Sequence, residues 1–507
     1  MPSYDLRREP WIPVTFHDGT TGEVGLRDAL IRSHEIREVY TDSPAEVIAL
    51  NRLLLALSVR IFHETEDEET WKEFWEKGKF EQQPIDDYFT KWEDRFDLLS
   101  NTYPFYQVTT KKGESLQPIL YLKLEESAYT SSLFSHSDLK INETLSLNEA
   151  ARGVVSTQYS AIGGLSSQPF RYTTNALFIK KAIVWIKGSS LFQALLLNAP
   201  PEDVARMGER NKKDVPVWEV NEDIRSEKRP HTGLLDYLTW QSRRLFLETE
   251  ENELGEVVAT GLRITGGDTL DPEVINDPHI AYYFHERLKG ILPLGLREDR
   301  VLWRDATILF TKTNADQGAH PPLTLQWLDD NQSIAERHPL MLEVFGMVTD
   351  RAKISLWKRE TIPLYSKYLR DISLAAQLSE VLTRAEEQAR ILRGAGRRIF
   401  DFLPATGDEQ ASRARALDLD GRFWASLQEP FLKVLEDLVS SDNQEEVLRG
   451  WTECLHRTAQ NAFNNATRSL DSSGRHLQAV AVANKGLRPA APYISKQGKP
   501  TEPSTTP

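Results

Sequence analysis

Pairs of acidic residues are the first groups in this sequence whose types and spacing could do chemistry. Adjacent aspartates occupy positions 86–87 and 329–330, and Asp418 is two residues from Asp420. Carboxylate oxygens bind magnesium, which activates water in many nucleases. Each pair also lies next to a predicted turn or helix start, where Asp commonly caps backbone N–H groups. We interpret the pairs as caps, and a divalent-metal nuclease is the alternative function.

Other patterns of catalytic residues give no better candidate. The spacing of His279, His285 and Glu286 fits no standard metal site, and the sequence has no Walker-type phosphate loop, no HExxH and no GxSxG. Cys454 falls on the apolar stripe of a predicted helix, which indicates a core position. We therefore expect no catalytic residues, no metal, no cofactor and no enzymatic activity of the chain by itself.

Two short stretches are better suited to binding than to catalysis. Phe134 stands in a serine-rich run, and an exposed aromatic ring there could stack on an unpaired base. A ring that folds back to anchor the loop is an equally good interpretation. Gly163 and Gly164 form a turn in the simplest interpretation, and paired glycines also allow another backbone to approach closely.

Basic residues cluster locally on an acidic chain. The net charge is −14, and residues 373–507 hold 17 basic and 17 acidic residues, so the excess of acid lies in the first 372. Contact with phosphate must therefore use short basic patches. One patch comprises Arg390, Arg393 and Arg397 on one face of a predicted helix, with Arg398 beside it. A solvated helix face is the default interpretation of this patch.

Composition indicates an ordinary globular protein of more than one domain. The chain has 507 residues, 40% of them hydrophobic and 27% charged, and single cores stop growing near ~250–300 residues. One cysteine excludes an intramolecular disulfide and any zinc site built from several cysteines. Because the sequence shows neither a signal-peptide pattern nor an apolar stretch of spanning length, we expect a cytoplasmic protein without a membrane partner.

The order and spacing of several short motifs resemble the CasA family, the large subunit of the type I-E CRISPR Cascade complex. No single motif is specific, and the resemblance extends over most of the chain. The motifs are Pro-Trp-Ile-Pro-Val at 10–14, Asp-Arg-Phe-Asp-Leu at 94–98, Tyr-Pro-Phe at 103–105, Leu-Phe-Ser-His at 133–136, Gly-Gly at 163–164, Leu-Thr-Trp-Gln-Ser-Arg-Arg at 238–244 and Trp-Arg-Asp at 303–305.

The resemblance implies roles in nucleic-acid binding for the first two candidates. Phe134 and Ser135 would engage the 5′ handle of a guide RNA, with Ser135 standing where the family has Asn. Gly163 and Gly164 would enter the minor groove of the target duplex and recognise the protospacer-adjacent motif, or PAM. A bare backbone suits a groove only ~6 Å wide whose edge pattern is degenerate.

The resemblance also implies a wedge that opens the duplex. Asp350, Arg351 and Lys353 lie where the family carries a hairpin whose Gln enters the base stack. Arg351 could stack on a base and pair with phosphate, whereas Asp350 would be repelled by it. The basic patch at 390–398 would then hold the displaced strand through phosphate contacts.

Taken with these roles, the resemblance implies the large subunit of an RNA-guided surveillance complex. The implied partners are guide RNA, double-stranded target DNA, other Cascade subunits and a recruited helicase-nuclease. Pairing with the guide supplies sequence specificity, as in other RNA-guided effectors.

The helices and strands predicted around these residues indicate an α+β fold, with a large mixed α/β N-terminal domain over 1–372. Alternation predicts a hairpin at 11–24, and capping patterns predict helices after Ser43 and from Ser146 to Thr157. Further strands are predicted at 182–186, 239–245, 262–265 and 306–311. Long apolar stripes predict helices from Ser373 onwards, with one kinked at Pro430. The resemblance implies a C-terminal four-helix bundle over 373–487, and composition predicts a disordered tail over 488–507.

Overall fold

The computed structural model divides the chain into two compact units, one of mixed helix and sheet and one helical. The first unit comprises Met1–Glu298 and Lys312–Ser366, and the second comprises Asp299–Thr311 and Lys367–Pro507. The structure describes residues 2–62, 67–108, 116–123, 143–163, 175–199, 214–221, 228–271, 277–311, 318–330, 340–350, 353–401, 407–468, 470 and 473–490.

The strands of the first unit form small antiparallel sheets and one short parallel pair. They are β1 (Ile12–Phe16), β2 (Thr21–Val24), β3 (Ile36–Val39), β4 (Leu116–Pro118), β5 (Ala182–Lys187), β6 (Lys228–Arg229), β7 (Arg243–Glu251), β8 (Val257–Gly266), β9 (Thr269–Leu270), β10 (Tyr282–His285), β11 (Gly290–Pro293), β12 (Leu340–Asp350) and β13 (Lys353–Leu364). The three-stranded sheets have the orders β2-β1-β3, β13-β12-β5 and β4-β8-β7, while β10 pairs with β11 and β6 pairs in parallel with β9.

The helices of the first unit lie between and against these sheets. They are α1 (Leu26–Ile31), α2 (Pro44–Phe62), α3 (Glu68–Lys77), α4 (Gln82–Lys91), α5 (Leu147–Ser160), α6 (Leu191–Leu197), α7 (Leu234–Leu238) and α9 (Leu323–Asp330). The second unit contains α8 (Ala306–Phe310), α10 (Lys367–Arg370), α11 (Ile372–Asp401), α12 (Gly407–Ala416), α13 (Leu419–Ala425), α14 (Gln428–Ser440), α15 (Gln444–Thr467) and α16 (Gly474–Lys485).

Helix α2 is the central helix of the first unit. Its start follows from local chemistry, because the Ser43 hydroxyl accepts the Glu46 N–H at 3.2 Å and Pro44 takes the first helical position. Nearly every residue from Ala45 to Val59 is buried, including Arg52. A helix that is buried on all sides lies inside the hydrophobic core rather than on its surface.

Helix α5 begins as the capping pattern predicts. The Ser146 N–H donates to the Glu149 carboxylate at 3.1 Å, so an N–H group outside the helix ladder is satisfied. Residues from Ala150 to Ser160 are mostly buried, and Gly153 lies against Leu122, where a Cβ would come within 2.7 Å of that side chain. This close approach requires glycine at 153.

The second unit is organised around α11, which is 30 residues long. Its apolar stripe packs against α15 and α16, and the shorter α12, α13 and α14 also contact it. The Trp451 indole N–H donates to Val381 O at 2.9 Å, and the Trp303 ring stacks on Phe431 with 4.4 Å between centroids. Trp303 belongs to the segment 299–311 that completes this unit.

Three predictions about local structure were wrong. Residues 306–310 form helix α8 rather than a strand, because their apolar side chains pack onto α11. The predicted kink at Pro430 is a break between α13 and α14, and Pro430 occupies the first turn of the new helix, where it replaces no backbone hydrogen bond. Cys454 is half-buried on α15 rather than a core residue.

The C-terminal boundary of the helical unit also differs from the predicted one. Gln388 of α11 donates to Arg488 O at 3.2 Å and accepts the Ala490 N–H at 2.9 Å, so residues 488–490 are held on the bundle. The rest of the predicted tail, 491–507, lies outside the described residues. Among the described helices, none combines the length and apolar character needed to cross a bilayer.

Candidate nucleic-acid interface

Hydrogen bonds join the backbone just before and at Gly163 to residues 175 and 176. Ala161 follows α5 in an extended conformation, and its carbonyl accepts the Ala176 N–H at 3.0 Å. The Gly163 N–H donates to the Asn175 side-chain oxygen at 2.8 Å. The chain therefore returns to its starting point across residues 164–174, which lie outside the described part.

A hydrophobic cluster connects this segment to the β12–β13 hairpin. Its buried members are Ala45, Ala161, Ala176, Ile179 and Met347, and Ile162 and Trp357 pack against them. Met347 and Trp357 are opposite each other in the hairpin, and the strands end at Asp350 and Lys353, three residues from Met347 and four from Trp357. At ~3.4 Å per residue, the hairpin turn extends about 10 Å beyond the cluster. The predicted PAM segment and the predicted wedge thus pack against the same hydrophobic cluster.

The structure describes only part of the predicted interface. The predicted residues outside the described part are Phe134, Ser135, Gly164 and Arg351. Asp350 and Lys353 are the paired last and first residues of β12 and β13, as a wedge at the hairpin turn requires. The roles of these residues remain predictions.

The arginines of α11 fall into two groups. Arg390 forms an ion pair with Glu387 at 2.6 Å, and Arg393 forms one with Asp420 of α13 at 3.0 Å. The pKa of Arg390 is raised by its hydrogen bond to Glu387. Arg397 and Arg398 are exposed, and within the described part of the chain neither forms an ion pair. These last two are the best placed to contact phosphate.

The motif at 238–244, to which the sequence assigned no role, lies against the end of α5. The Gln158 side chain pairs with the Arg243 backbone, accepting its N–H at 2.9 Å and donating to its carbonyl at 3.0 Å. The Arg243 guanidinium donates to the carbonyls of Ala161 at 3.0 Å and Ile162 at 3.2 Å. Sequence spacing could not show this, since about 80 residues separate the partners.

Comparison with known proteins identifies the family. The sequence profile of the family described as CRISPR-associated protein Cse1 matches residues 5–462. The chain belongs to the Cse1/CasA family. CRISPR-associated protein CasA/Cse1 from Thermus thermophilus is 30% identical over 513 residues, which cover 95% of this chain and 96% of that protein.

Solved structures of similar chains share the fold. The structure of Thermus thermophilus CasA (Cse1) has a TM-score of 0.80 at 27% identity and covers 96% of this chain and 98% of its own. A chain of a structure titled CRISPR RNA-guided surveillance complex has a TM-score of 0.75 at 19% identity and covers 96% and 100%. The predicted CasA family and α+β fold class are confirmed.

In this Cse1/CasA family member, Asp86 and Asp420 of the acidic pairs considered for metal binding are engaged by arginines, and the side chains of Asp329 and Asp330 lie outside the described part. Asp86 accepts two hydrogen bonds from Arg27, at 2.6 and 3.1 Å, and these lower its pKa. Asp420 pairs with Arg393, and Asp418 is the residue before α13, with a left-handed φ of 46°. Over the described residues, no three acidic, His or Cys side chains are grouped to hold a metal.

His279, considered with His285 as a metal ligand, instead belongs to a fully buried ionic cluster. Arg52 of α2 donates to Asp277 at 2.5 Å and to His279 Nδ1 at 3.0 Å. His279 Nε2 therefore carries the proton and donates to Asn198 O at 2.9 Å, and Tyr237 donates its hydroxyl to Asp277 at 2.8 Å. The cluster joins α2, the turn at 277–279 and the ends of α6 and α7.

Burial and the Arg52 charge determine the protonation of this cluster. Desolvation and the neighbouring guanidinium lower the pKa of His279 to about 4, so the ring is neutral. Burial raises the pKa of Asp277, but the Arg52 charge, acting together with the hydrogen bonds from Arg52 and the His279 N–H, outweighs it and brings the pKa to about 2. Nothing in the sequence around 277–279 signals a partner 225 residues away.

Proposed function

We propose that this Cse1/CasA family member is the large subunit of an RNA-guided CRISPR surveillance complex. It acts with guide RNA and the other Cascade subunits and is not itself an enzyme. Family membership over nearly the whole chain supports this assignment, as does the fold shared with a chain of a complex titled as an RNA-guided surveillance complex.

The proposed task of the first unit is recognition of the PAM in double-stranded DNA and opening of the duplex beside it. Gly163 and Gly164 enter the minor groove, while Asp350, Arg351 and Lys353 form the wedge. The observation that carries this proposal is the hydrophobic cluster shared by the segment before Gly163 and the β12–β13 hairpin. A glycine segment and a hairpin that pack against one cluster can act on adjacent base pairs, so recognition and strand separation are coupled.

Guide RNA and the displaced strand are assigned to other residues. Phe134 and Ser135 contact the 5′ handle of the guide, with the Phe134 ring stacked on a base. The basic face of α11, formed by Arg390, Arg393, Arg397 and Arg398, holds the displaced strand by its phosphates. The complex then presents the opened DNA to a recruited helicase-nuclease.

Binding of matched DNA targets by the reconstituted complex tests this proposal. Val in place of both Gly163 and Gly164 should abolish binding to a PAM-bearing duplex, because branched side chains do not fit a groove ~6 Å wide. The same variant should still bind a target that is already single-stranded. Gly450→Val is the matched control, since Gly450 lies on α15 with open space around its Cα.

Two outcomes would contradict the proposal. Equal loss on both targets would show that the glycine substitutions damage the subunit rather than duplex recognition. Undiminished binding to the PAM duplex would show that these glycines do not contact the groove.

A further inference from the structure

We infer that Arg243 and Asn175 are positioning residues for duplex recognition, because they hold the backbone around Gly163 from two sides. This inference rests on the proposed role of Gly163 in binding the PAM. It gives a role to the motif at 238–244, whose side chains reach the end of α5. Neither residue needs to touch DNA to act in this way.

Arg243 holds the chain on the incoming side. Its guanidinium donates to the carbonyls of two consecutive residues, Ala161 and Ile162, and to Ser242 O at 2.8 Å. Only 2% of Arg243 is exposed, so these bonds are shielded from competing water. They fix the orientation of the two peptide groups that lead into Gly163.

The Arg243 guanidinium uses both ends of its fork, since Nη1 donates to Ser242 O while Nη2 donates to the carbonyls of Ala161 and Ile162. A planar guanidinium presents several N–H groups in a fixed fork and can bridge neighbouring carbonyls, whereas a lysine ammonium is a single compact donor group. The base of the fork is itself fixed, since Gln158 binds both the N–H and the carbonyl of Arg243. The Ser242 hydroxyl also donates to Gln158 O at 2.5 Å.

Asn175 holds the chain on the returning side. Its side-chain oxygen accepts the Gly163 N–H at 2.8 Å, and the residue is exposed. Removing this side chain therefore takes away the hydrogen bond without opening a cavity in the core. Asn175 is the better site for a test, whereas substitution of the buried Arg243 also affects folding.

Asn175→Ala in the reconstituted complex tests the inference. Loss of one hydrogen bond should weaken binding to the PAM-bearing duplex about 3- to 10-fold, with unchanged affinity for a target already single-stranded. The melting temperature of the subunit should stay at the wild-type value. Asn148→Ala, the same substitution at the opposite end of α5, should leave both affinities unchanged.

A double-mutant cycle separates positioning from a general structural effect. Once Gly163→Val has removed groove contact, Asn175→Ala should cause no further loss on the duplex, so the two effects are not additive. If Gly163→Val abolishes duplex binding altogether, Gly163→Ala, which should retain measurable binding, takes its place in the cycle. Arg243→Lys, which keeps the charge but not the fork, should reproduce the duplex-specific loss.

The outcomes distinguish the inference from the proposed function. If Gly163→Val loses duplex binding while Asn175→Ala and a folded Arg243→Lys do not, the positioning role is wrong and the proposed function stands. If Gly163→Val itself keeps full duplex binding, the proposed function fails. Fully additive losses in the cycle would also overturn the inference, because they would show that Asn175 acts independently of Gly163.

Discussion

Neutralising Arg397 and Arg398 together should weaken the hold of the complex on the displaced strand in a salt-dependent way. Both side chains are exposed, and in the described part of the chain neither has an ion-pair partner, so their charges are available to phosphate. Arg390 and Arg393 are already paired with Glu387 and Asp420. The effect of the substitutions should therefore be larger at 397 and 398 than at 390 and 393.

The size of the effect follows from counterion release. Each phosphate contact to a single strand contributes about 0.7 to the slope of log K against log salt, so Arg397→Gln with Arg398→Gln should lower the slope by about 1.4. If the double variant and wild type bind equally at 1 M salt, this difference in slope corresponds to about 25-fold weaker binding of the variant at 0.1 M salt. The effect should not depend on the sequence of the displaced strand.

The assay is equilibrium binding of the reconstituted complex to a full target at several salt concentrations. Arg457→Gln with Arg475→Gln is the matched control, because it makes the same charge change at two exposed arginines of α15 and α16 that form no ion pair within the described part of the chain. A target lacking the displaced strand should show no difference between the Arg397 and Arg398 variant and wild type. A wild-type slope, or an equal reduction by the control pair, would refute the phosphate contacts and leave this face solvated.

Three further predictions concern other parts of the chain. Phe134→Ala should weaken assembly onto a guide-RNA complex about 5- to 100-fold at unchanged melting temperature; a large drop in melting temperature with normal assembly would identify a core residue. Because the pKa of His279 is about 4 when folded and near 6.5 when unfolded, the unfolded chain takes up the proton first as pH falls. Lowering the pH from 7 to 5 should thus lower the free energy of unfolding, measured with denaturant, by about 2 kcal/mol. This loss should be smaller in His279→Gln and unchanged in the control His17→Gln, whose histidine is exposed. The purified chain with magnesium or manganese should not cleave labelled duplex; cleavage abolished by a chelator would support the nuclease alternative.

Local patterns in the sequence were sufficient for elements whose cause is local. The β1–β2 hairpin, the start of α2 at Ser43 and Pro44, and the start of α5 at Ser146 follow from alternation and capping chemistry within a few residues. Hydrophobic periodicity likewise predicted the long helices of the second unit. The order of the motifs along the chain identified the family without any structure.

Tertiary contacts decided the features that short patterns cannot encode. An apolar run such as 306–310 fits a strand or a helix equally well, and packing against α11 selects the helix. The positive charge of the arginines on α11 is a sequence property and the pairing of Arg390 with Glu387 is local, but the pairing of Arg393 depends on the approach of α13.

The positions of Arg52 and Arg243 illustrate the same limit at the sites themselves. Each is an ordinary basic residue in the sequence, and each is almost fully buried in the fold. Their partners, Asp277 for Arg52 and the carbonyls after α5 for Arg243, are far away along the chain. A buried guanidinium is stable only where such acceptors converge on it, and that convergence arises only when the chain has folded.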